Sequence, residues 1–101
     1  MNTTLVGGHF RGEAAMEIIH SLTIGEPLEL RREPDNEYDS AAIMVLKNGT
    51  HLGYIPKTDN SGLAQYMDDG GEVICLVVYS GPNINKPTLE VQFVDEGSLV
   101  A

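Results

Sequence analysis

The sequence predicts a mainly β domain with one or two short helices, closed into a small barrel. Three observations lead there. Several short segments alternate apolar and polar residues, as strands with one buried face do. An Asn48-Gly49 pair joins two of them, the strongest hairpin signal in the chain. The length, 101 residues, leaves room for a single core, and with no Trp and two Phe that core is built from Ile, Leu and Val.

Taken in order, residues 5–10 read as a short strand broken by Gly7-Gly8, a sign of a bulge or of close approach by another backbone or ligand. Residues 13–22 predict a short helix, because Ala15, Ile18, Ile19 and Leu22 share one face. Gly25 and Pro27 close it. Residues 28–33 alternate as a half-buried strand with Leu28 and Leu30 inward, and Pro34, Asp35 and Asn36 form a turn. Residues 41–47 are a strand that Asn48-Gly49 returns into residues 50–55, which Pro56 stops.

Asp59-Asn60-Ser61 then caps a second helix through Leu63, Ala64, Tyr66 and Met67, ended by Gly70-Gly71. Residues 72–79 are almost all apolar and predict a central strand. A loop with two prolines follows over residues 80–87. Residues 89–95 alternate again with Leu89, Val91 and Phe93 inward, and residues 96–101 are expected to be a loose tail. The order β-(short α)-β-β-β-α-β-β fits one domain over residues 1–101, a small OB-like or SH3-like barrel.

Composition excludes several classes of function. No apolar run approaches the ~20 residues that span a bilayer, and the first residues lack a secretory signal. The lone Cys75 lies in an apolar run and is expected to be a core residue. A cytoplasmic, reducing setting with no membrane partner follows from these features. His9, His20 and His51 lie on separate elements without ligand spacing, and Asp68, Asp69 and Glu72 lack the spacing of a calcium loop. There is no G-x-S-x-G and no phosphate-cradling loop. The expectation is a protein that is not an enzyme and takes neither metal nor cofactor.

Charge is the strongest constraint on partners. Six Lys and Arg against fifteen Asp and Glu give a net charge of −9. Affinity for a polyanion comes largely from neutralised phosphates. A nucleic acid would therefore have to be held in a local pocket that touches few of them.

The pattern Leu30-x-Arg32-Glu33-Pro34-x-Asn36-x-Tyr38-Asp39-x-x-Ala42-Ile43-x-Val45, followed by Gly49-x-x-x-Gly53-Tyr54-Ile55-Pro56-Lys57, resembles the HIRAN domain. The resemblance runs from about residue 5 to residue 78 and is most specific over 33–45 and 53–57. HIRAN domains stand at the N-termini of helicase-like ATPases that remodel stalled replication forks, and as stand-alone or fused modules in bacteria and phages. The studied ones are OB-like barrels that bind single-stranded DNA and grip its free 3′-hydroxyl end. The resemblance thus implies a single-stranded DNA-binding module of repair or fork processing, specific for the 3′ end.

Such a pocket needs an aromatic for the terminal base, an acceptor for the hydroxyl and a cation or backbone N–H for the first phosphates. By resemblance, Asp39 takes the hydroxyl and Tyr38 the sugar or base. Tyr54 and Lys57, in the Gly-Tyr-Ile-Pro-Lys turn, supply a ring and a phosphate contact. His9 and Phe10 fall where DNA-binding members carry an arginine and aromatics, one residue short, so Arg11 is the candidate to reach the site from the next position. Arg32 is a candidate for the rim, and a late aromatic would fall near Tyr79-Ser80.

Each of these residues also has a purely structural use. Asp39 and Asn36 suit a turn, Tyr38 and Tyr54 suit barrel packing, and Lys57 suits a solvated surface. Arg31 and Arg32 point to opposite faces of a strand, and one of them is expected to pair with a carboxylate. The −9 charge and the missing arginine leave a second reading open. In it, the chain is an acidic protein-interaction module with a basic protein partner, keeping the barrel with a weakened pocket. Beginning at Met1 without a linker, the chain reads as a stand-alone form.

Overall fold

The Asn48-Gly49 turn carries φ of 50° and 84°, the double positive φ that such hairpins need. It joins β3 (Ile43–Lys47) to β4 (Thr50–Tyr54) in the computed structural model, which describes residues 1–94. The other strands are β1 (Asn2–Thr4), β2 (Pro27–Arg32), β5 (Glu72–Tyr79) and β6 (Thr88–Val94). All pairs are antiparallel, in the order β1-β6-β5-β2-β3-β4. Two helices, α1 (Glu13–Ser21) and α2 (Lys57–Asp68), complete the domain.

The sheet curls into a half-barrel, and one segment joins its two ends. The Leu5 N–H donates to the Pro87 carbonyl at 3.0 Å, beside β6. One residue later, Val6 exchanges both backbone bonds with Tyr54 of β4, each 2.9 Å. Gly53 permits this approach: its φ is 153°, and a Cβ there would collide with the Val6 carbonyl oxygen. Inside, Leu5, Ile19, Ile43, Val45, Leu52 and Val91 are fully buried. Ala15 and Leu22 hold α1 to this core, with Ile18 at its margin.

Four expectations need correction. Residues 5–10 are not a strand: Gly7, at φ 77°, turns the chain into a single 3-10 turn, Gly8–Arg11. Helix α2 starts at Lys57 behind Pro56, so Asn60 lies inside the helix and is not its cap. Phe93 does not join the core; it is about half exposed at the barrel end, edge-on to Tyr66 at 4.9 Å. Both neighbouring arginines pair, Arg31 with Glu29 at 2.8 Å and Arg32 with Asp68 at 2.9 Å.

Strand β5 is central as expected, between β6 and β2. Its continuous apolar run has a different cause from two-sided burial. Cys75 and Val77 face the core, whereas Ile74 and Val78 are exposed on the outer wall. Burial pushes the Cys75 thiol up to about 12, which leaves it an inert core residue. The predicted end of the last strand at Asp95 and the tail 96–101 lie outside the described residues.

Candidate nucleic-acid interface

Where the barrel ends meet, a cleft of about 250 Å³ opens, lined by Val6, Asn36, Tyr38, Asp39, Ala42, Tyr54, Ile55 and Lys57. Three pieces of chain build it: the Val6–Tyr54 bridge, the loop between β2 and β3, and the first turn of α2. Four sequence-predicted residues, Tyr38, Asp39, Tyr54 and Lys57, thus line one concavity.

The loop is shaped by Asn36. Its Oδ1 accepts from the Tyr38 and Asp39 N–H groups at 2.9 and 3.0 Å, an Asx turn. Its Nδ2 donates to Glu33 Oε1 at 2.6 Å, and the Tyr54 hydroxyl donates to the same oxygen at 2.8 Å. Backbone bonds from Glu33 to the Ala42 carbonyl (2.9 Å) and from Ala42 to the Asp39 carbonyl (3.1 Å) pin the loop base. Asp39 Oδ1 accepts from the Ala41 N–H at 3.0 Å, and Oδ2 accepts from Asn60 Nδ2 at 2.8 Å. The Lys57 ammonium donates to the Tyr38 carbonyl at 3.0 Å. This leaves the Tyr38 side chain 83% exposed at the rim.

Electrostatics keep the cleft ionised on one side and neutral on the other. The Asn60 amide, then the Ala41 N–H, Lys57 and Arg32, hold the Asp39 carboxyl below its usual value. Asn36 and Tyr54 do the same for Glu33. Burial and the Glu33 contact push the Tyr54 phenol up, so it remains a donor. His51 stands edge-on to Tyr54 at 4.8 Å. Burial, followed by the Arg11 charge, lowers its pKa and favours a neutral ring.

The lowered carboxyls carry a stability prediction. Glu26, held down mainly by its bond from Lys47, joins Glu33 and Asp39 in having a folded pKa below the unfolded one. Their stabilisation is complete above the unfolded carboxyl values near pH 4 and is lost as pH falls through the lower folded values. Thermal melts at stepped pH should show the midpoint falling below about pH 4. A midpoint that holds or rises towards pH 3 contradicts this.

The remaining predicted residues stand elsewhere. His9 and Phe10 lie on the 3-10 turn with ring centroids 4.0 Å apart, and Phe10 is 79% exposed. Neither lines the cleft. Arg11, on the same turn beside β4, acts on Glu33, His51 and Tyr54 through its charge. Arg32 is also off the cleft lining, and its Nη2 donates to the Ser40 carbonyl at 2.7 Å, fastening the loop. Tyr79 is exposed at the end of β5, away from the lining. Among the described residues, Arg11 and Lys57 make no ion pair with a carboxylate, whereas Arg31, Arg32 and Lys47 do.

Sequence reading missed Glu33 and Asn60. Glu33 ends the alternating segment and opens the most specific part of the motif, and nothing in its spacing signals the Tyr54 hydroxyl. Asn60 was hidden by the misplaced helix start; counted from Pro56, it falls one turn after Lys57, on the same face.

A small half-closed β barrel with a polar-edged cleft where its ends meet has the form of a binding module. Among the described residues no group of three or more His, Cys, Asp or Glu is placed to hold a metal ion, and no helix is long and apolar enough to cross a membrane. The chain belongs to the HIRAN domain family, which matches residues 1–94. HIRAN domains are generally nucleic-acid-binding modules rather than catalytic ones.

Two solved structures are similar to this fold. A protein from Lactobacillus plantarum superposes with a TM-score of 0.82 at 27% identity, over 91% of this chain and 89% of that one. The HIRAN domain of human HLTF superposes with a TM-score of 0.77 at 25% identity, over 92% of this chain and 73% of that one. No curated protein sequence matches significantly.

Proposed function

We propose that the cleft holds the free 3′-hydroxyl end of single-stranded DNA, in repair or replication-fork processing in the cytoplasm. The observation that carries this reading is the convergence of Tyr38, Asp39, Tyr54 and Lys57 on one 250 Å³ cleft. Each Asp39 oxygen has one protein donor and a further lone pair for the hydroxyl. Lys57 spends one of its three donors on Tyr38 and keeps two for a phosphate. Tyr38 offers an exposed ring for the terminal base, a stack of about 1–3 kcal/mol. Arg11 lies beside the Tyr54 wall as a second cation for the incoming strand.

This mode reconciles binding with the charge of −9. Only one or two phosphates are engaged, so the salt slope should be shallow, about −0.7 per phosphate. Fluorescence anisotropy with one short oligonucleotide, ended by a 3′-hydroxyl or a 3′-phosphate, tests the reading. The hydroxyl form should bind about tenfold tighter, the worth of one bond to a charged acceptor. Equal affinity removes the end-recognition reading.

The outer wall favours a second reading. Ile74, 44% exposed, and Val78 form an apolar strip on β5 with Glu90 and Gln92 alongside on β6, a surface suited to a basic protein partner. No oligonucleotide binding even at low salt, together with a defined complex with a basic protein, would select it.

A further inference from the structure

We infer that Asn60 is a positioning residue that holds the Asp39 carboxylate as a hydroxyl acceptor in the cleft, an inference that rests on the strand-end reading of that cleft. Asn60 is 2% exposed, and it and Thr3 are the buried polar side chains among the described residues. Buried amides need partners, and no buried side-chain polar atom among the described residues lacks one. Asn60 spends its Nδ2 on Asp39 Oδ2, 2.8 Å away and 21 positions distant in sequence.

The helix that carries Asn60 is itself fixed. Thr3 Oγ1 of β1 donates to Asp59 Oδ2 at 2.7 Å, Leu63 and Ala64 are buried, and Asp68 pairs with Arg32. One face of α2 therefore presents Lys57 to the Tyr38 carbonyl and, a turn later, Asn60 to the Asp39 carboxylate. Cation and acceptor are set by the same rigid turn, which is what a selective site needs. With Ala41 N–H on Oδ1 and Asn60 on Oδ2, the carboxyl plane is fixed from both sides. The free lone pairs can accept from a hydroxyl, while a terminal phosphate meets like charge.

The charged groups acting on Asp39 are Lys57 from α2 and Arg32 from β2, both cations. Glu33, across the loop, is bonded to Asn36 and Tyr54. A mimic of the amide that can lose its proton should therefore impose its own pH dependence on the site.

The test compares wild type, Asn60→Ala and Asn60→Asp by carboxyl NMR titration of Asp39 without ligand, and by the affinity ratio for 3′-hydroxyl over 3′-deoxy oligonucleotides, neither of which titrates at its end, from pH 5 to 8. In Asn60→Ala the Asp39 midpoint should rise and the ratio fall about tenfold. In Asn60→Asp, one proton shared by two carboxyls replaces the amide donor. The ratio then stays near wild type at low pH and is lost as rising pH removes that proton, while the wild-type ratio is flat. If Asn60→Ala does not fold, the Asn60→Asp profile decides. An unmoved Asp39 midpoint, or a flat Asn60→Asp profile, overturns the assignment. A wild type blind to the 3′ end removes the strand-end reading instead, and the ligand-free titration still reports whether Asn60 holds Asp39.

Discussion

Asp39→Ala is expected to weaken binding of a 3′-hydroxyl oligonucleotide by about ten- to a hundredfold, the range for a hydrogen bond to a charged group. The 3′-phosphate form should change little or bind slightly better, because a like charge has been removed. Anisotropy titrations of both oligonucleotides check this in one series. The substitution also frees the Ala41 N–H and the buried Asn60 amide, so the loop should lose about 1–3 kcal/mol of local support. A melt run alongside separates the effects. Loss of affinity for both ends in equal proportion means that Asp39 shapes the loop and does not touch the ligand.

Gly53→Ala should be the most damaging single change to the fold. Its φ of 153° disfavours side chains, and a Cβ there would strike the Val6 carbonyl oxygen. That carbonyl accepts the Tyr54 N–H at 2.9 Å, so relief of the clash breaks the bridge that joins the two ends of the sheet. Strain and a lost seam together should cost about 3 kcal/mol or more. Gly49→Ala is the comparison: φ there is 84° but nothing lies near, and the cost should be about 1 kcal/mol. Urea unfolding measures both. Equal losses would mean that the seam is not a stability element. Because Val6 and Tyr54 also line the cleft, Gly53→Ala should weaken oligonucleotide binding as well.

The parts legible in the sequence are those set by local chemistry. Asn48-Gly49 specifies its turn alone, and the alternation of residues 28–33 and 89–93 follows from one-sided burial. Asn36, Tyr38 and Asp39 were legible as a turn because the Asn36 side chain closes it within three residues. What stayed hidden depends on distant partners. The Gly7-Gly8 pair signalled a close approach, but a 3-10 turn in place of a strand follows from the packing of Gly8 against Ile19 of α1. Asn60 looked like a cap because Asp-Asn-Ser is good capping chemistry; the rigid φ of Pro56 starts the helix three residues sooner. That one of Arg31 and Arg32 meets a carboxylate is expected from the abundance of acids, but that Arg32 meets Asp68, 36 residues on, depends on the fold.

The net charge also changes meaning once the cations are placed. Among the described residues three of the six pair with acids, and of the others Lys57 lines the cleft while Arg11 acts on its Tyr54 wall. An acidic protein can thus keep cations at one cleft without a basic surface.

The most direct test of the central claim is an amide NMR titration with a short 3′-hydroxyl single strand. Shifts should concentrate in residues 36–42 and 54–60, with weaker ones over 6–11, and the outer wall around Ile74 and Val78 should stay still. Shifts centred on that outer wall, or none at saturating oligonucleotide, would contradict the assignment of the cleft as the strand-end site.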